Sequence, residues 1–200
     1  MASLVTKVDI CNLAVVLLGA KKVNSIDSPT TKEEITMAEV YPRSIRASLE
    51  ANNWVFARKR KALVAVSGEE TGLFEYSYTL PTDCLVPRQL DRATAESKPV
   101  EFEIALNDAK TGNILLTNDD TPVLEYTAFV DNPALFSDAF VEAASIKIAY
   151  LSCMAIKGDP IRREQLRKDF QSFILSVQAI NANTGHQVYN QQCDLISARS

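Results

Sequence analysis

The segment Ser137–Lys157, SDAFVEAASIKIAYLSCMAIK, constrains the fold more than any other stretch, because almost no side of it suits water. Between Ala139 and Ile156 only Glu142 and Lys147 carry charge. Phe140, Ala144, Ile148, Leu151 and Ala155 form one helical stripe, yet Val141, Ile146, Ala149, Tyr150 and Ile156 lie off it. A helix that is apolar nearly all round is either walled by protein on several sides or spans a membrane. The two charges favour walls of protein, and so does the next helix, which begins after only Gly158-Asp159 and must pack antiparallel to this one. The stripe centred on Phe140, Ile148 and Leu151 is expected to face the other helices. The small residues Ala143, Ser145 and Ala149 are expected to admit a neighbouring subunit, or else to be covered by the β part of the chain.

Ser137 is the cap of this helix and Gly158 its stop. Asp159-Pro160 opens the last helix with a cap and a proline at the first helical position. Leu166, Phe170, Phe173, Ile174, Val177 and Ile180 are its buried stripe, and Gly185 ends it. At the other end of the chain, Thr6 with Asp9 predicts a capping box and a helix over Lys7–Leu18, stopped by Gly19. The run LAVVLLGA within it could pass for a signal-peptide core. Lys7 and Asp9 share its pattern, however, and Val8, Ile10, Leu13, Ala14, Leu17 and Leu18 keep mostly to helical spacing, so an amphipathic helix accounts for it better. After a loop ending at Thr31, residues 32–52 read as a second helix with Ile35, Ala38, Tyr41, Ile45 and Leu49 inward. Pro42 should bend or split it near Val40.

Between these helical ends the period changes. Residues 54–66 read as extended, Phe74, Tyr76 and Tyr78 alternate, and residues 84–90 form a short strand interrupted by Pro87. Three strands then follow over residues 100–106, 113–117 and 123–130, and their short links predict an antiparallel meander. The fold class is therefore α+β: a bundle of about four helices (residues 1–66 and 131–185) carrying an inserted antiparallel β lobe (67–130), with an arm at 186–200.

A chain of 200 residues with 46% apolar and 23% charged residues can bury one sizeable core. Its net charge of −4 and pI near 5.1 lack the basic excess of a protein that grips nucleic-acid phosphates. Cys11, Cys84, Cys153 and Cys193 form no CxxC pair, and three of them sit in apolar patterns, as expected of reduced, hydrophobe-like cysteines.

No catalytic, cofactor or metal constellation emerges from the residues. The single histidine, His186, lies just past a helix stop, a poor place for a general base. Glu69-Glu70 and Asp119-Asp120 fall in turns, where carboxylates serve turn geometry and solubility. Glu101 and Glu103 share one strand face, which suits an exposed sheet surface as well as an acid–base or metal pair. The strongest charged feature is Arg58-Lys59-Arg60-Lys61, with two side chains pointing each way along a strand. Arg58 and Arg60 are the candidate partner contacts there, with phosphates or with acidic residues of another subunit. Val188, Tyr189, Leu195 and Ile196 are the only residues of the arm able to bury against a partner.

Four ordered stretches carry a family resemblance. They are ICNLAVVLLGA at 10–20, the run from Tyr41 through Arg46, Leu49 and Trp54 to Phe56-Ala57-Arg58, the segment from Tyr78 to Leu85 (YTLPTDCL), and LEYTAFVDNPALFSDAFVEA at 124–143. Together they resemble the head-to-tail adaptor proteins of short-tailed and related tailed phages, also called tail tubular protein A, over about residues 6–180. The resemblance implies a structural virion protein at the head–tail junction, not an enzyme. It implies a homo-oligomeric ring, commonly of twelve copies, bound to the portal protein on one side and to the tail nozzle or tube on the other. Double-stranded DNA would pass through the channel without specific binding, and no membrane or cofactor is involved. The alternative from the residues alone is a cytosolic oligomeric nucleic-acid-binding module using the strand Arg58–Lys61.

Overall fold

The computed structural model describes residues 5–68, 72–92 and 100–185. Among the described residues, four helices flank seven strands in chain order: α1 (Lys7–Leu18), α2 (Lys32–Ala51), β1 (Arg58–Ala62), β2 (Val64–Val66), β3 (Tyr76–Thr79), β4 (Cys84–Arg92), β5 (Phe102–Leu106), β6 (Asn113–Thr117), β7 (Pro122–Ala128), α3 (Asp138–Ile156) and α4 (Pro160–Gly185). The architecture is α+β, as the order of periodicities requires.

Each helix starts where its polar residues can serve orphan backbone donors. Thr6 and Asp9 exchange hydrogen bonds in a capping box, and Thr31 with Glu34 does the same for α2. The Ser137 hydroxyl accepts from Phe140 N, and the Asp159 carboxylate accepts from Ile161 N and Arg162 N. Gly19 and Gly158 end their helices at φ of 58° and 68°, where a side chain would be strained.

Glu34 does more than cap. Its buried carboxylate accepts from Asn24 N (3.0 Å), Thr30 N (2.8 Å), Thr30 Oγ1 (2.9 Å) and Thr31 N (3.1 Å), so one side chain fixes much of the loop between α1 and α2. Those donors, the Thr30 amide foremost, hold its pKa at about 2.

The apolar α3 is the hub, with α1, α2 and α4 all packed on it. Phe140, Ala143, Ala144, Ile148, Ala149 and Cys153 are fully enclosed. Each large side chain among them contributes about 1.5–3 kcal/mol by burial. Ser145 lies at the α1 contact, donating to Val141 O (2.7 Å) and Ile10 O (3.4 Å). The small residues Ala143, Ser145 and Ala149 thus serve the chain's own helices. Ala143 and Ala149, expected to be open to a neighbouring subunit or covered by the β part, are instead fully enclosed among the helices, while Ser145 also lines a groove between α1 and α3. By length and composition α3 could cross a membrane, but half of it is buried among these helices. Its two charges are accommodated at the margins: Glu142 is exposed, and Lys147 Nζ sits 4.8 Å from the Phe170 ring centroid and 5.4 Å from that of Tyr150.

Several other expectations change. Helix α2 is unbroken through Pro42, so the split near Val40 does not occur. Its buried face runs through Met37, Tyr41, Ser44, Ile45, Ser48 and Leu49, whereas Ile35 is 47% exposed. Two hydroxyls at this face are satisfied within the helix, Thr36 and Ser44 donating to Lys32 O and Val40 O one turn back, whereas Tyr41 OH and Ser48 Oγ are buried without a hydrogen-bond partner among the described residues. Leu13 of α1 and Ile180 of α4 are also exposed rather than inward. Residues 54–66 are not extended throughout, since a short 3-10 turn (Val55–Ala57) precedes β1.

The strands form two antiparallel sheets, in the orders β1-β7-β4 and β2-β3-β6-β5. This overturns the meander: β5 and β6 pair, but β7 leaves them to lie between β1 and β4. A short link reverses the chain without obliging the next strand to pair, and Asn118–Thr121 carries it from one sheet to the other. Strands β1 and β2, read from the sequence within the helical part, are edge strands joined through Leu63 alone. Tyr78 and Leu115 of the second sheet share a core with Leu90, Leu124, Tyr126 and Ala128 of the first.

Two outcomes check this packing. Ser145→Leu should overfill the α1/α3 contact and cost about 1–3 kcal/mol in urea denaturation. Because the folded pKa of Glu34 lies below its unfolded value near 4.3, its contribution is full above that value and is lost as pH falls towards 2. The stability of Glu34→Gln should therefore vary less than the parent's across that acid range, by thermal melting at successive pH values.

Candidate interaction surfaces

The basic strand β1 lies at the edge of its sheet with all five residues exposed. Successive side chains alternate between faces, as period two requires. Arg58 approaches Glu125 (3.7 Å) and Arg60 pairs with the buried carboxylate of Asp91, both reaching partners on β7 and β4. On the other face Lys59 Nζ bonds Asp83 Oδ2 (2.6 Å), while Tyr126 donates to Asp83 Oδ1 (2.9 Å). The Lys59 hydrogen bond, against the opposing effect of burial, holds the Asp83 carboxyl below its ordinary range.

Three of the four cations in the run are therefore paired with carboxylates of the same chain. Gln89 Nε2 bonds Asp91 Oδ1 (2.7 Å), so the Arg60–Asp91 pair belongs to a small network. Such compensated charges hold a sheet surface together and present less net field to phosphates than four free bases would. Lys61 makes no ion pair among the described residues.

A second surface is apolar. Leu13, Val16 and Leu17 of α1 and Val141, Ser145 and Ile146 of α3 line a groove of about 470 Å³, with Asp138 and Glu142 at its border. Leu13 is 48% exposed and Val16 64%, although α1 buries Ile10, Cys11, Ala14, Val15 and Leu18 against α3 and the rest of the core. The run LAVVLLGA simply holds more aliphatic residues than one helix face can bury, which is the signal the sequence offered for this groove. Neither Asp138 nor Glu142 makes an ion pair among the described residues.

The joint between bundle and sheets was not foreseen. Arg88, at an irregularity of β4 beside Pro87, donates to Glu50 O (3.1 Å), Asn52 O (3.0 Å) and Thr127 Oγ1 (2.9 Å). Helix α2 has no basic residue in its last turn and an extended Asn52 as its C-cap, so its final carbonyls must find donors elsewhere. That unmet need was visible in the sequence; the donor was not.

Other expected candidates disperse. Asp119 is buried and its Oδ1 accepts from Thr121 N (2.9 Å), so it builds the turn rather than solvating it. Cys11 and Cys153 are buried and Cys84 half-buried, all as free thiols, and burial pushes Cys11 up to about 12 and Cys84 to about 11. Among the described residues no group of three or more His, Cys, Asp and Glu could hold a metal. Glu69, Glu70, His186, Val188, Tyr189, Cys193, Leu195 and Ile196 lie outside the described residues. No protein-family model matches the chain, and no curated protein matches it at a significant level.

Substitution separates a structural from a phosphate-binding role for β1. Arg60→Ala leaves the buried Asp91 carboxylate with the neutral Gln89 amide but without its cation, and should lower stability by about 1–2 kcal/mol in chemical denaturation. Lys61→Ala should stay within about 0.5 kcal/mol of the parent.

Proposed function

We propose that the protein is a structural subunit of a phage head–tail junction: an adaptor that assembles as a ring on the portal and receives the tail nozzle or tube, with DNA passing through its channel. It works by binding proteins, without catalysis or a cofactor. The observation that carries this reading is the ordered resemblance over about residues 6–180.

The structure supports treating the resemblance as one constellation rather than scattered similarities. Ile10, Cys11 and Ala14 from the first stretch, Tyr41, Leu49 and Trp54 from the second, and Phe136 and Phe140 from the last meet in one core. Tyr78 of the third stretch belongs to the core between the sheets, and Leu85 packs on the helical one. The matched residues thus specify the helical core and its joint to the β part. What the described residues leave for partners is a surface with aliphatic residues in the open, chiefly Leu13 and Val16; Val188, Tyr189, Leu195 and Ile196 are further candidates by sequence alone. Pairing of Arg58, Lys59 and Arg60 within the chain weighs against the nucleic-acid-binding alternative, and a channel that lets DNA slide is better served by compensated charge.

The test is negative-stain microscopy of the full chain with and without its cognate portal ring, beside a gel-shift titration against labelled duplex DNA. An added ring of density on the portal is the expected result, with no salt-dependent DNA shift. A steep salt-dependent shift without portal binding would replace this reading with the nucleic-acid-binding one.

A further inference from the structure

Two surfaces left uncovered by the fold are complementary to each other. One is the α1/α3 groove, with its aliphatic lining and with Asp138 and Glu142, which make no ion pair among the described residues. The other lies on α4. Its buried stripe, Leu166, Phe170, Ile174 and Val177, faces the rest of the bundle. On the opposite side Ile161, Lys168 and Leu175 recur every seven residues, close to two helical turns, and so stand in one row. Ile161 is 82% exposed and Leu175 66%; Lys168 between them makes no close ion pair among the described residues, although it acts through space on Glu164 one turn before it. Gln165, Ser172 and Ala179 fill the row; Glu164, which lines the same surface beside Ile161 and Lys168, is paired with Arg167 (2.6 Å), so Lys168 is the cation of the row.

We propose that the outward row of α4 in one copy seats in the α1/α3 groove of the next, with Ile161 and Leu175 on Leu13, Val16 and Ile146, and Lys168 between Asp138 and Glu142. The occupant is a second copy of this chain, because the row supplies both things that the groove lacks: aliphatic knobs and a cation. Groove and row are different surfaces of the bundle. The contact is consequently head-to-tail, which leaves a free groove at one end and a free row at the other and propagates until a ring closes. The contact rests on the adaptor reading for its purpose and supplies the subunit interface which that reading needs. Aliphatic contact would provide most of the affinity, and the Lys168–carboxylate pairing would fix the register.

The experiment is sedimentation of the full-length protein at concentrations up to the millimolar range. The parent should associate progressively beyond a dimer. Val16→Glu and Ile161→Glu alter exposed residues, so circular dichroism should match the parent while association weakens about tenfold or more. An equal mixture of these two variants should give dimers and nothing larger, because each retains one competent surface. Lys168→Glu and Glu142→Lys should each weaken assembly, and combining them in one chain should restore it.

A parent that remains monomeric throughout, or variants that associate as the parent does, would overturn the contact. If such a chain still formed a ring on the portal, the adaptor reading would stand without this interface. Self-association through these surfaces without portal binding would keep the interface and sink the adaptor reading.

Discussion

A helix that repels water on nearly every side must be given walls, and this one requirement organises the molecule. α3 takes α1, α2 and α4 as those walls. Its small residues set how near they come, and Phe140 marks where the helical core turns aromatic. The Phe140 ring lies 5.2 Å from Trp54, 5.0 Å from Phe56 and 4.5 Å from Phe136, measured between centroids. Edge-to-face packing of this kind adds to the burial of each ring. Trp54 and Phe56 immediately precede β1, while Phe136 immediately precedes α3. The cluster therefore clamps the two places where the chain passes between helices and sheets.

The end of α2 is the second fixed point. Trp54 Nε1 donates to Ser48 O (2.8 Å), Arg88 to the carbonyls of Glu50 and Asn52, and Gln178 Nε2 to Ala51 O (3.1 Å). Donors from the following turn, from β4 and from α4 thus converge on a helix terminus that lacks a glycine cap. The Trp54 bond is buried and the Arg88 bond to Asn52 partly so, and a buried carbonyl without a donor costs about 1–3 kcal/mol; the Arg88 bonds are the ones that tie the bundle to the sheets. They are also directional, and fix orientation in a way that apolar contact alone does not.

Against this closed interior, the features open to partners divide by chemistry. The basic strand is compensated within the sheet by Asp83, Asp91 and Glu125, which makes it an edge guarded by charge. The α1/α3 groove and the outward row of α4 are instead aliphatic, and their charges, Asp138 and Glu142 in one and Lys168 in the other, make no close ion pair among the described residues. Under the proposed adaptor role, surfaces of the second kind would serve contacts with protein rather than with phosphates.

The sequence by itself determined the helix starts, because Thr6, Thr31, Ser137 and Asp159 act on amides within three residues of themselves. It also determined the α3–α4 hairpin, whose link is too short for any other course, and the α+β class, because the hydrophobic period changes twice along the chain. Local interactions are legible in this way because their partners are close in sequence. Tertiary structure alone decided which strands pair: β7 joins β1 and β4 because its hydrogen-bonding partners are distant in the chain, and no local pattern distinguishes one open strand edge from another. It decided that the small side chains of α3 serve α1 and the intramolecular core, and that Arg58, Lys59 and Arg60 are matched by acids from 24 to 67 positions away. The candidate surfaces were half legible. LAVVLLGA reads as one amphipathic face that includes Leu13, but which of its aliphatic residues remained outside depended on how tightly Ser145 and the alanines let the helices close.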